Sequence, residues 1–134
     1  MITKKRVKVL VVDDETIVRE SLRDWLSDVG HHVLTAENGS AALDIIERER
    51  TEIVITDLVM PGMNGIELLK KARGISPGTE VIVITAYGSI PTAITAMREG
   101  AYDYIEKPFC PEKAEFLIER LAEYKGLVEE NISL

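Results

Sequence analysis

Two kinds of apolar spacing alternate along the chain. Val7–Val12 (VKVLVV), Ile53–Thr56 (IVIT) and Val81–Thr85 (VIVIT) are short, β-branched and nearly continuous in apolar residues, as strands buried on both faces of a parallel sheet read. His32–Ala36 and Tyr102–Ile105 are weaker strand patterns, expected nearer the sheet edges. Between the runs the apolar positions fall at helical spacing. Val18, Leu22, Trp25, Leu26 and Val29 form one stripe, closed by Gly30 as a C-cap. Asn38 is placed to cap a second helix carrying Ala42, Ile45 and Ile46, and Asn64 a third with Ile66, Leu69 and Ala72 inward. Ser89 precedes a fourth, on which Ile90, Ala93, Ile94 and Met97 line up before Gly100. Pro111 suits the first turn of a fifth, with Ala114, Leu117, Ile118 and Leu121 as its buried face.

A β-α unit repeated five times, with short connections, predicts a doubly wound α/β sandwich around a five-stranded parallel sheet. Ligands in such sheets bind beyond the carboxyl ends of the strands. The first strand ends in Asp13-Asp14-Glu15, the third in Asp57, the fourth in Thr85-Ala86, and the fifth leads to Lys107-Pro108. Chain-distant polar groups are thereby expected on one edge of an otherwise apolar sheet.

Composition narrows the classes of function. The 134 residues, 46% hydrophobic and 29% charged, are enough for one domain with a buried core and too few for two. A net charge of −7 argues against nucleic-acid binding, which needs clustered Lys and Arg. Much of the acid, as in ERERTE, reads as solvated helix face. No apolar run approaches a membrane span, and the start MITKKRVKVL lacks a separate apolar segment and cleavage site. The lone Cys110 excludes an internal disulfide, so a cytoplasmic setting is expected.

Three clustered carboxylates repel one another, so either some stay protonated or a cation sits among them. A hard divalent ion with oxygen ligands suits the site, and Mg2+ suits it best. No glycine loop that cradles phosphate follows the first strand. A metal together with Lys107 would attract a phosphoryl group while leaving one carboxylate oxygen free to attack it.

VLVVDDE, VITDLVMPGMNGIELL, VIVITAYGS and GAYDYIEKPF, spread over Lys4 to Tyr124, resemble the receiver domain of two-component response regulators. The resemblance implies the flavodoxin-like strand order 2-1-3-4-5, with Asp57 as phosphoacceptor. It implies Asp14 and Asp57 as direct Mg2+ ligands (Mn2+ able to substitute), Asp13 holding the ion through water, and the Val59 carbonyl as a further ligand. Lys107 would pair with the acceptor and then with a phosphoryl oxygen. Thr85, beside Ala86, would bond the phosphoryl group, and Tyr104 would swing inward as Thr85 moves. A cis Lys107–Pro108 bond is implied as well. The partner would be a sensor histidine kinase, and the domain itself a signalling switch that only slowly hydrolyses its own phosphate.

TAYGS, AMREGAYDYIEKPF and the tail most resemble receivers of NtrC-like enhancer-binding transcription activators. Residues 1–124 would then be the receiver, and 125–134 a helical extension toward an output module absent from this chain. A receiver joined to a sensor-kinase module, or acting alone by protein contact, is the alternative. Tyr124, Leu127, Asn131 and Leu134 follow a coiled-coil spacing, while Gly126 favours a frayed helix end. A homodimer would use either the fourth helix–fifth strand face or the tail helix.

Other residues are expected to have plainer roles. His31 and His32 read as surface or strand-start residues, Trp25 as packing, Met60-Pro61-Gly62 as a shaped loop, and Cys110 as without a role. Val59 and Tyr87 occupy positions that vary in the family, and an apolar Val59 predicts a long-lived phosphoryl state. Two rival classes remain. A Mg2+-dependent phosphohydrolase usually carries a second Asp where Val59 stands, and a flavin module needs a Ser/Thr/Gly loop where Asp13-Asp14-Glu15 stands.

Overall fold

The near-continuous apolar runs become strands because both faces of the sheet are covered. The computed structural model describes residues 6–86 and 89–133. Strands and helices alternate as β1 Lys8–Val12, α1 Thr16–Asp28, β2 His32–Ala36, α2 Gly39–Glu49, β3 Ile53–Asp57, α3 Gly65–Ile75, β4 Glu80–Thr85, α4 Ile90–Arg98, β5 Asp103–Glu106 and α5 Pro111–Ser133. All strand pairs are parallel, in the order β2-β1-β3-β4-β5. The two weaker strand patterns are the edges, as expected.

Strand side chains alternate between two cores. Val9, Val11, Ile53, Ile55, Ile82 and Ile84 face Leu22 and Leu26 of α1 and Leu117, Ile118 and Leu121 of α5. Leu10, Val12, Val54, Val81 and Val83 face Ala42 and Ile46 of α2, Leu68, Leu69 and Ala72 of α3, and Ala96 of α4. Each fully buried Val, Leu or Ile contributes about 1.5–3 kcal/mol of transfer free energy. The chain enters mid-sheet at β1, moves out to β2 and returns to β3, so the order reverses between β1 and β3. The carboxyl edge opens there.

Local chemistry fixes the ends of the helices. Asn38 Oδ1 accepts from Ala41 N–H at 2.8 Å. Asn64 Oδ1 accepts from Glu67 N–H at 2.9 Å while Glu67 Oε1 reaches back to Asn64 N–H at 3.4 Å, a reciprocal capping box. Gly65 lets α3 start hard against β3, since a Cβ there would collide with the Asp57 carbonyl oxygen and stand 2.7 Å from Leu58 Cα.

Several expectations change. His31 is buried at 8% exposure, because its Nδ1 accepts from the Val7 N–H at 3.2 Å just ahead of β1; His32 is exposed as expected. Trp25 is 37% exposed and ties α1 to α5 by donating from Nε1 to Glu115 Oε1 at 2.7 Å. On α4 only Ala93 and Ala96 are buried, while Ile90, Ile94 and Met97 stay 40–47% exposed. Small residues set that helix close to the sheet, and its larger apolar stripe is turned to solvent. The helix containing Gly126 continues through Ser133 instead of ending near it. Tyr87 and Leu134 lie outside the described residues, as do the side chains of Leu127 and Asn131. Among the described residues, no helix is long and apolar enough to cross a membrane.

Candidate metal and phosphoryl site

The predicted acids, Thr85 and Lys107 come from the carboxyl ends of strands, whereas Tyr104 lies within β5. Asp13 follows β1, Asp57 closes β3, Thr85 closes β4 and Lys107 follows β5. Because β1, β3 and β4 are neighbours, these ends meet. Asp13, Asp57 and Thr85 are buried, Asp14 is exposed and Lys107 is half-buried.

One carboxylate oxygen from each of Asp13, Asp14 and Asp57 lies within 4.8 Å of the others. Asp57 Oδ1 accepts from Val59 N–H at 3.1 Å, and Oδ2 from Lys107 Nζ at 3.1 Å. Lys107 Nζ also lies 3.5 Å from Glu15 Oε1 and 3.8 Å from Asp13 Oδ2. Asp13 Oδ1 accepts from Glu15 N–H at 2.9 Å, whereas its buried Oδ2 has no hydrogen-bond donor among the described residues. The Lys107–Pro108 peptide bond is cis.

The charges act on one another. Burial pushes the Asp13 carboxyl up to about 6, and the neighbouring Asp57 adds to this; the Glu15 N–H and Lys107 pull the other way. Lys107 loses hydration, which alone would lower its pKa, but the hydrogen bond and negative charge of Asp57 outweigh this and hold it above the ordinary lysine value. A buried carboxylate oxygen without a donor, beside two further carboxylates, is a fit for a hard cation. Asp13, Asp14 and Asp57 therefore suit Mg2+ both in donor chemistry and in placement.

Thr85 Oγ1 is buried and likewise without a hydrogen-bond partner among the described residues. Tyr104, half-buried, pairs in register with Val83 and packs on the core facing α2 to α4. Ala86 borders a cleft of about 540 Å³ shared with Glu15, Ile17, Lys107 and Phe109. Val59 is 73% exposed. Sequence reasoning missed Arg19, whose Nη1 donates to the Asp13 carbonyl at 2.7 Å and braces the loop that carries the acids. An arginine in the first turns of a helix gives no signal of such a contact until the loop is folded.

Strand order, acidic pocket and lysine define a doubly wound α/β domain with an acidic cluster at its carboxyl edge. The family model described as "Response regulator receiver domain" matches residues 9–120, and the chain belongs to that family of two-component signalling domains. It is 44% identical over 102 residues to the response regulator protein FleR of Pseudomonas aeruginosa, covering 76% of this chain and 22% of that protein. It is 38% identical over 130 residues to a putative NtrX-like response regulator of Rickettsia bellii, covering 96% of this chain and 27% of that one. The chain thus spans about a quarter of the length of these relatives. Among solved structures, the receiver domain of NtrX from Brucella abortus superposes with a TM-score of 0.82 at 38% identity, covering 86% of this chain and 98% of that one.

Proposed function

We propose that this chain accepts a phosphoryl group on Asp57 from a phosphohistidine of a sensor histidine kinase. The observation that carries this reading is the 3.1 Å contact of Lys107 Nζ with Asp57 Oδ2 beside the Asp13–Asp14–Asp57 cluster. Asp13, Asp14, Asp57 and the Val59 carbonyl would hold Mg2+, with Mn2+ able to substitute. Bound there, the ion neutralises charge on the acceptor and on the transferred group. An Asp57 oxygen attacks phosphorus in line as the bond to the donor breaks, giving an aspartyl phosphate, while Lys107 balances charge on the phosphoryl oxygens.

The Thr85 hydroxyl, unpartnered among the described residues, then finds an acceptor in a phosphoryl oxygen, beside the Ala86 backbone. Tyr104 follows Thr85 inward, and the population shifts toward the conformer that makes these bonds. Residues 1–124 act as the receiver and 125–134 as the connection to an output module, with transcription as the regulated process. The continuation of α5 through Ser133 supports a helical connection. The exposed Ile90, Ile94 and Met97 support a homodimer through the α4–β5 face, with the tail helix as the other candidate.

Treatment with acetyl phosphate and Mg2+ should add one phosphoryl group by intact mass, and Asp57→Asn should abolish the gain. Equal labelling of the variant would overturn the reading.

A further inference from the structure

Both oxygens of the Asp57 carboxylate are engaged, Oδ1 by Val59 N–H and Oδ2 by Lys107 Nζ, each at 3.1 Å. Each oxygen keeps a further lone pair, so attack needs neither bond to break, but the ammonium on Oδ2 withdraws charge from the carboxylate that must attack phosphorus. The same ammonium already has a second seat, because Glu15 Oε1 lies 3.5 Å from Nζ. Glu15 sits at the N-cap of α1, yet its side chain makes no capping hydrogen bond. It is 62% exposed, whereas the Asp57 side chain is 8% exposed, so moving Nζ from Asp57 toward Glu15 moves it outward. Glu15 and Lys107 also line one cleft together with Ala86, the residue that follows Thr85.

We propose that Glu15 is a positioning residue for phosphoryl transfer, drawing Lys107 off Asp57 to the mouth of the pocket, where its charge meets the incoming phosphoryl group. This rests on Asp57 as acceptor. The Asp57 oxygen forms its bond to phosphorus as the bond from phosphorus to the donor oxygen breaks, and acetate leaves acetyl phosphate with the electron pair. Glu15 takes no part in either bond. It sets how far Lys107 is committed to Asp57 before the donor arrives. A purely repulsive role for the exposed carboxylate would have the opposite consequence, since its removal would then speed reaction with an anionic donor.

The rate of phosphorylation by acetyl phosphate in saturating Mg2+ separates these cases. Glu15→Gln should lower the maximal rate constant about fivefold, the scale of an exposed ion pair, and leave the half-saturating donor concentration unchanged or lower. Glu15→Asp should recover part of the rate. Thermal stability should not change, because the side chain is solvated. In a Lys107→Ala background, Glu15→Gln should have no further effect on the maximal rate. A Glu15→Gln variant as fast as wild type or faster, or one that slows the Lys107→Ala protein to the same degree, overturns the proposal and leaves Asp57 as acceptor intact. A wild-type chain that takes up no phosphoryl group overturns both.

Discussion

Asp13→Asn removes one of three clustered carboxylates while keeping its shape, and the metal-free protein should become more stable for it. Asp13 is fully buried, and its pKa is raised from 3.8 to about 6. A raised carboxyl pKa means that the folded state binds more protons than the unfolded chain between pH 3.8 and about 6. Stability therefore falls as pH rises through that window, and the full penalty of burying the charge is present above it. A shift of about two units corresponds to about 3 kcal/mol at 1.36 kcal/mol per unit. Asn keeps an acceptor for the Glu15 N–H but places its NH2 beside Lys107, so a net gain of about 2 kcal/mol is expected. Urea unfolding in EDTA at about pH 7.5 should show the gain, and it should close as pH falls toward about 4. Saturating Mg2+ should stabilise wild type more than the variant, because the ion meets the charge that Asn lacks. If Asp13→Asn is no more stable than wild type in EDTA near pH 7.5, or if its advantage does not shrink in acid, the electrostatic account of the pocket fails.

Three further perturbations probe the neighbouring groups. Gly65→Ala should cost about 2 kcal/mol or more by urea unfolding, because its Cβ meets the backbone of Asp57 and Leu58; an unchanged midpoint would show that α3 can shift freely. Thr85→Val should stabilise the unphosphorylated protein by about 1 kcal/mol, since it removes a buried hydroxyl without a hydrogen-bond partner among the described residues. A loss of stability by the same assay would mean that the hydroxyl is satisfied in solution. Lys107→Ala should tighten Mg2+ binding several-fold by calorimetric titration, because an ammonium 3.1 Å from Asp57 and 3.8 Å from Asp13 opposes the cation; weaker binding would contradict that.

Much of the site was legible because strand ends are legible. An apolar β-branched run that stops at an acid, as Ile53 to Asp57 does, marks both a buried strand and the residue delivered to its carboxyl edge. Parallel pairing then brings Asp13, Asp57 and Thr85 together with no further instruction. The capping asparagines 38 and 64 were readable for the same reason, since each acts on amides three residues away. His31 was misread because its partner, the Val7 amide, lies 24 residues back. Ile90, Ile94 and Met97 were readable as a stripe, but not as one facing solvent. That depended on which neighbouring positions were small enough for α4 to lie against the sheet.

By itself, then, the sequence determined the alternation of elements, the edge and central strands, and the set of residues at the carboxyl edge. These follow from periodicity and short-range capping, which are local properties. Only the tertiary structure decided which oxygens are paired and which are left without a donor. It likewise decided that Lys107 is shared among Asp57, Glu15 and Asp13, and that Arg19 braces the Asp13 carbonyl. Those outcomes depend on distances between groups remote in sequence, and on the burial that strengthens every charge among them.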